Sequence, residues 1–130
     1  MAEDEHRMRV GLVSPERALW TGEAEAVYAR TLEGELGVLP GHIPLLGVLA
    51  DDGVVKIEPG GGEADIIVAV SGGFLSVTDD GVSVLAETAV FADEIDVAAT
   101  QRELEQAEPG SPEERRAQGR LAAAEAAGRT

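Results

Sequence analysis

The chain has 130 residues, 44% of them hydrophobic, which is enough for one domain with a buried core. Its formal net charge of −15 argues against nucleic-acid binding, and the lack of cysteine excludes disulfides and thiolate metal sites. No apolar run approaches the roughly 20 residues of a membrane span, and the acidic N-terminus is not typical of a signal or transit peptide.

Short apolar segments with period-two alternation fill the first two thirds of the chain. Asp-Gly pairs at residues 52–53 and 80–81 separate such segments, and this dipeptide favours tight hairpins because both residues tolerate positive φ. We expect strands at residues 8–13, 17–20, 26–31, 54–58, 65–70, 73–78 and 82–86. Many short strands between Gly and Asp turns predict a β-sandwich or a flattened barrel.

Residues 34–46, GELGVLPGHIPLL, interrupt this pattern. Three glycines and two prolines are too many for a helix, and the alternation is too weak for a long strand. Proline fixes φ while glycine permits bends, so we expect a bent but stiff loop. It contains one acid and one histidine, Glu35 and His42.

The composition changes near residue 92, after which Ala, Glu, Gln and Arg dominate. Asp96 is placed to cap a helix that runs to about Glu108, and Ser111, Pro112 and Glu114 form a capping-box pattern for a second helix ending near Gly128. The tail is therefore predicted to be an αα-hairpin. Its apolar seam is weak, so the tail is either docked on the β domain or mobile.

No group of residues forms a complete catalytic pattern. The glycines at 60–62 lack the Gly-Lys-Ser/Thr ending of a phosphate loop, and Ser71 lacks the glycine and helix of a nucleophile elbow. Metal binding by His42 with Glu35 is one interpretation, and a polar loop is the other. The chain is predicted to be a non-catalytic subunit or a binding module, with no cofactor and no metal.

Residues 34–46 closely resemble the signature loop of the epsilon subunit of bacterial F-type ATP synthase. Further matches occur in family order: LVSPE from Leu12, LWTGEA from Leu19, VSGGFLSV from Val70, VLAETA from Val84 and EID from Glu94. They extend over about residues 8–100. The resemblance implies a mainly β fold with α: an N-terminal ten-stranded β-sandwich at residues 1–92 and a C-terminal helix-turn-helix, the αα-hairpin, at residues 93–130.

The resemblance also implies a function. The family's subunit does no chemistry itself. It lies in the central stalk, binds the gamma subunit, contacts the c-ring, and couples ring rotation driven by proton flow to the catalytic head. Its hairpin can restrain ATP hydrolysis through the alpha and beta subunits. Such a protein would be peripheral on the cytoplasmic side of the bacterial cell membrane, without direct membrane or nucleic-acid contact.

Site residues follow from the same resemblance. Ser14, Glu35 and His42 match family positions at the c-ring contact, although His42 could instead only cap its turn. Apolar Leu36, Val38 and Leu39 are expected to pack inside the protein or against gamma. Arg116 and Arg120, four apart on the second helix, could contact acidic segments of the beta subunits; a solvated helix face is the alternative.

The chain departs from the family where some members bind ATP. That pattern is Ile/Leu-Asp-x-x-Arg-Ala, but here Ala99 replaces the arginine and Thr100 the alanine. Without the guanidinium the phosphates lose a bidentate anchor, so ATP binding is not expected. Two other functions remain as alternatives: a free-standing nucleotide-sensing module that uses the hairpin as a lid, and a small enzyme using Glu35 and His42.

Overall fold

The computed structural model describes residues 6–129. Within that range it contains eight strands and two α-helices. The strands are β1 (Met8–Val13), β2 (Ala18–Ala24), β3 (Ala26–Thr31), β4 (Gly34–Val38), β5 (Leu45–Val48), β6 (Gly53–Glu58), β7 (Ile66–Thr78) and β8 (Gly81–Phe91). A short 3-10 turn (Ala92–Glu94) leads to the helices α1 (Val97–Gln106) and α2 (Pro112–Ala126).

The strands form two layers that share β7 and β8. One edge of β7 pairs with β8, while its other edge pairs with β6 over residues 66–70 and with β5 over residues 74–77. The first layer contains β2, β1, the first half of β8, the second half of β7, and β5. The second layer contains β4, β3, β6, the first half of β7 and the second half of β8.

Two glycines mark the point where β7 passes from one layer to the other. Gly72 and Gly73 have φ values of +70° and +105°, a region that favours glycine. A Cβ at Gly73 would overlap the carbonyl oxygen of Leu85 on β8. The β-sandwich is confirmed, but the described part of the chain has eight strands instead of ten. The reason is that β7 and β8 are continuous through the bend; their halves, counted separately, give ten segments.

Aliphatic side chains from both layers form the main core. As the low aromatic content predicts, its largest fully buried side chains are Leu, Ile and Val, and Trp20 and Phe91 only pack against its edge. Burying one such side chain contributes about 1.5–3 kcal/mol. The largest buried members are Leu12, Leu49, Ile57, Leu75, Val10, Val27, Val38, Val55, Val68 and Val84.

The bent loop predicted over residues 34–46 is shorter in the structure, because residues 34–38 form β4 and residues 45–46 begin β5. Residues 39–44 connect β4 to β5, and Gly41 has a φ of +85°. Val38 is fully buried and Leu36 packs against the core, whereas Leu39 is exposed. The apolar residues of this segment therefore divide between the interior and the surface.

Both predicted helix caps are present. Asp96 accepts a hydrogen bond from the Ala99 N–H at 3.0 Å, and Ser111 accepts one from the Glu114 N–H at 3.1 Å. The capping box differs in one detail: the Glu114 carboxylate accepts from the Gly110 N–H at 2.7 Å instead of from that of Ser111. The N–H of Ser111 is already used, because it donates to the Glu108 carbonyl oxygen.

The αα-hairpin is docked on the outer surface of the second layer. Helix α2 lies against β6 and β7. A second apolar cluster forms there from Ala69, Ala92, Ile95 and Ala123, with Val54, Ile67 and Val90 packed around it. Neither helix in residues 6–129 is long and apolar enough to cross a membrane.

Candidate subunit-docking site

The outer surface of the first layer carries a row of apolar side chains. Val13, Leu85, Phe74 and Val48 are direct cross-strand neighbours on β1, β8, β7 and β5. Phe74, Leu85 and Val48 are 49%, 52% and 44% exposed, and Leu46, also on β5, is 70% exposed. We call these five residues the outer apolar row. Directly opposite side chains in a sheet are about 5 Å apart, so the row is continuous.

Strand alternation explains why the outer apolar row is unusual. On β8, Val82, Val84 and Ala86 point into the core, so the side chain of Leu85 must point outward. A one-sided strand normally carries polar residues at such positions. Contiguous exposed apolar surface of this kind marks protein–protein interfaces. The row is therefore a candidate surface for docking another protein.

Ser14 directly follows the row, in the turn between β1 and β2. Its N–H donates to the Arg17 carbonyl oxygen at 2.9 Å, and the Arg17 N–H donates back to the Ser14 carbonyl oxygen at 3.2 Å. The Arg17 guanidinium donates to both carboxylate oxygens of Glu94, at 2.6 and 3.4 Å. It also lies 5.1 Å from the centre of the Phe91 ring. The Ser14 turn is thus joined to the junction that precedes the hairpin.

The contact between Arg17 and Glu94 changes the titration of both groups. The hydrogen bond from Arg17 is the main reason why the pKa of the Glu94 carboxyl is lowered. The same hydrogen bond raises the pKa of Arg17. Each group is therefore stabilised in its charged form.

Glu35 lies on the edge strand β4, where its side chain is 79% exposed. It is opposite Arg30 on β3, and the two form an ion pair with an Nη1–Oε2 distance of 3.6 Å. Arg30 also reaches Asp52, with an Nε–Oδ1 distance of 3.4 Å. Glu35 is accordingly available to a partner but already has an intramolecular cation beside it.

His42 lies in the loop between β4 and β5. Its backbone N–H donates to the Leu39 carbonyl oxygen at 3.0 Å, and its ring Nδ1 lies 2.7 Å from the Ile43 carbonyl oxygen. The ring lines a cavity of about 430 Å³ together with residues 7–9 and 78–82. Leu39 and Ile43 beside it are 56% and 74% exposed. The backbone hydrogen bond closes the turn, and Nδ1 is the ring nitrogen that contacts a carbonyl oxygen among the described residues.

The three residues expected to touch the c-ring lie in three separate places. His42 is close to the start of β1, since Met8 lines the same cavity. Ser14 follows the other end of β1, roughly 20 Å away at 3.3 Å per residue. Glu35 is on the edge of the second layer. His42 and Ser14 therefore lie toward opposite ends of β1, and Glu35 is on a different strand.

Arg116 and Arg120 both face the inner side of the hairpin. Arg116 pairs with Glu113 at 3.5 Å, and Arg120 pairs with Glu103 of α1 at 3.3 Å. Their side chains are only 33% and 32% exposed. In the compact arrangement they therefore contact their own chain and are not a freely solvated helix face.

Comparison with known proteins identifies the family of this fold. The family model described as the ATP synthase delta/epsilon chain, β-sandwich domain, matches residues 7–92. The chain belongs to the ATP synthase delta/epsilon family. An ATP synthase epsilon chain of Nocardia farcinica is 48% identical over 124 residues, 95% of both chains. One of Frankia casuarinae is 58% identical over 82 residues, which are 63% of this chain and 94% of that relative.

A solved structure shows the same architecture in a related protein. One chain of the Euglena gracilis mitochondrial ATP synthase, solved with its F1 part and c-ring, superposes with a TM-score of 0.69 at 26% identity. The superposition covers 94% of this chain and 81% of that one. The superposition extends beyond residues 7–92, the part of the chain that the family model matches.

This delta/epsilon chain offers little to a nucleotide at the start of its hairpin. Ala99 presents only a methyl group, and its N–H is occupied by the Asp96 cap. In the described residues no group of three or more His, Cys, Asp or Glu side chains could hold a metal ion. The prediction that the chain uses no ATP site remains a prediction.

Sequence reasoning missed the outer apolar row in this delta/epsilon chain. The strand Val82–Ala86 was expected, but Leu85 was not distinguished from its inward-facing neighbours. The row could have been found from apolar residues at strand positions where the alternation calls for a polar, outward-facing residue. Phe74 gives the same signal on β7. Both residues are adjacent only because β7 and β8 pair in one register, which the sequence alone does not specify.

Proposed function

We propose that this protein is the epsilon subunit in the central stalk of a proton-translocating F-type ATP synthase. In this role it is non-catalytic, and it couples rotation of the c-ring, through gamma, to ATP synthesis in the catalytic head. It is held on the cytoplasmic side of the bacterial cell membrane through the complex. The observation that carries the proposal is the outer apolar row on a sandwich of the delta/epsilon family.

The outer apolar row is the surface proposed to bind gamma. Phe74 and Leu85 are half-exposed in the centre of the row, where large apolar side chains make the main contributions to an interface. Burying their remaining surface would contribute about 1 kcal/mol each. Within residues 6–129 the main helix–strand contacts are those of α2 with β6 and β7, so the hairpin lies on the second layer and not on the first. Gamma therefore has an unobstructed face to dock on.

The decisive experiment replaces the centre of the row. Leu85→Glu places a carboxylate in the proposed interface, and an unpaired buried charge is expected to weaken gamma binding about a hundredfold or more. Tyr28→Glu is the matched control, because Tyr28 is 40% exposed on the outer surface of the other layer. Titration of labelled gamma with each variant measures its affinity for gamma. Native-like affinity of folded Leu85→Glu would refute the assignment.

Glu35 and His42 are proposed to contact polar loops of the c-ring. Glu35 acts as an acceptor, and so does Nε2 of a neutral His42 ring, because the Nδ1–H donates to the Ile43 carbonyl oxygen. Ser14 is proposed as a separate contact, since a ring of repeated subunits presents the same loop more than once. The chain has no cysteine, so single cysteines at these positions can be cross-linked specifically to a cysteine in the c loop. Cysteine at Glu105 on α1 is the control; equal cross-linking there would remove the assignment.

We also propose that the hairpin restrains ATP hydrolysis when it leaves the sandwich. Arg116 and Arg120 would then exchange their own-chain partners for acidic groups of the beta subunits. Both arginines already hold one carboxylate each at 3.3–3.5 Å, so such an exchange preserves their pairing.

Replacing both arginines by glutamate tests this role. Arg116→Glu with Arg120→Glu is expected to raise ATP hydrolysis of the assembled enzyme, because like charges would then repel. Arg102→Glu, at an exposed position of α1, changes the net charge by the same amount as either single substitution, Arg116→Glu or Arg120→Glu, and is the matched control for each of them. Unchanged hydrolysis in the double variant would end the proposal for these two residues.

A further inference from the structure

We propose that the turn between β5 and β6 is the docking position that holds α2 in the compact arrangement, and that Gly119 is the residue that permits this contact. We call Asp51 and Asp52 the acidic turn. The inference concerns the conformation of the chain by itself. It therefore goes beyond the proposed role in hydrolysis and does not depend on it.

Gly119 brings the backbone of α2 directly against the backbone of the acidic turn. A Cβ on Gly119 would lie 2.9 Å from the Asp52 carbonyl carbon, 3.0 Å from its Cα and 3.2 Å from its oxygen. These are backbone atoms of a tight turn, which cannot rotate away as a side chain could. Any larger residue at position 119 must therefore move the helix outward.

Polar contacts fix the acidic turn from both sides. Arg115, one helical turn before Gly119, places Nε 3.4 Å from Asp51 Oδ2. Ser71 of β7 donates to Asp51 Oδ1 at 3.5 Å. Arg30 of β3 holds Asp52 at 3.4 Å. Asp51 therefore joins the hairpin to the sandwich, while Asp52 is kept in place under the helix.

Besides a hydrogen bond from the Arg129 guanidinium to the Ala92 carbonyl oxygen, the buried positions of α2 are occupied by small residues. Ala117, Gly119, Ala123 and Ala124 are buried, and only Ala123 belongs to the second apolar cluster. Small side chains bury little area, so close approach of the backbones is what determines whether α2 docks. This also explains a glycine in the interior of a helix, where it is otherwise unfavourable.

Gly119→Ala separates this proposal from ordinary helix propensity. Helix propensity predicts that alanine stabilises α2, whereas the proposed contact predicts that alanine weakens the docking of α2. In a helix without the close contact, alanine would increase the helix equilibrium constant about fivefold. If Gly119 is needed for docking, alanine is expected to lower the docked-to-undocked ratio about tenfold through overpacking. Ala122→Gly, at an exposed position of the same helix, is the control: it weakens helix propensity without touching the acidic turn.

The measurement is the distance between spin labels on the isolated full-length chain. Cysteines replacing Ser83 on β8 and Glu105 on α1 are both exposed, and no native cysteine interferes. Native protein and Ala122→Gly should give one narrow distance distribution, and Gly119→Ala a broad one. Amide exchange of β7 and β8 reports whether the sandwich is folded.

A second variant, and the amide exchange of α2, cover the cases in which Gly119→Ala does not fold or stays docked. Ala123→Leu enlarges another buried position of α2, so it should broaden the distribution even if Gly119→Ala yields no folded protein. A narrow distribution in folded Gly119→Ala, with slower amide exchange in α2, would overturn the proposal. The same holds if Ala123→Leu broadens the distribution while Gly119→Ala leaves it narrow.

Discussion

At the level of single residues, charged contacts join segments that are distant in the sequence. Arg17 and Glu94 are 77 positions apart, yet they connect the Ser14 turn with the junction before the hairpin. Arg30 likewise connects Glu35 with the acidic turn. Because these side chains are exposed, such pairs add little to the free energy of unfolding. Their effect is to set the positions of the turns that carry the proposed contacts.

The contact between Arg17 and Glu94 predicts a pH-dependent stability difference. The folded-state pKa of Glu94 is lowered from its ordinary value of 4.5. Its contribution is therefore present above pH 4.5 and is lost as the pH falls through the lowered folded-state value. Glu94→Gln should unfold at a lower temperature than the native chain at pH 7, and this difference should disappear toward acidic pH.

A double-mutant cycle provides the control for that measurement. In an Arg17→Gln background, Glu94→Gln should cause a much smaller change in thermal midpoint at pH 7. If Glu94→Gln has the same effect with and without Arg17, the stabilisation does not come from this pair.

At the level of elements, the helix caps determine how well the hairpin forms. Few large apolar residues lie between the two helices of the hairpin. Capping hydrogen bonds therefore contribute a larger share of helix stability here than in a buried helix. Asp96→Ala removes the acceptor for the Ala99 N–H and should destabilise α1 by about 1 kcal/mol. Amide exchange of α1 measures this loss. Asp93→Ala, at an exposed position of the preceding 3-10 turn, should leave that exchange unchanged.

Local signals in the sequence predict most elements but not their arrangement. Asp96, Ser111 and the Asp-Gly turns specify helix starts and hairpins through contacts a few residues long. The continuity of β7 through Gly72 and Gly73 was not predicted, because glycines ordinarily indicate a break between strands. The docking of Gly119 on the acidic turn depends on residues 67 positions apart, and no local pattern reports such a contact.

At the level of the whole molecule, the outer surfaces of the two layers differ. The first layer presents the outer apolar row, and the second layer carries the hairpin. If gamma binds the outer apolar row as proposed, its attachment does not require the hairpin to move.

We expect the sandwich alone to attach this subunit to the rotor and to couple ring rotation to the catalytic head. ATP-driven proton pumping by the reconstituted synthase, with the chain ending at Ala92 in place of the full chain, tests it most directly. The account predicts that pumping is retained with the shortened subunit and that ATP hydrolysis is no longer restrained. Loss of pumping to the level seen without any subunit, although the shortened sandwich is folded, would contradict it.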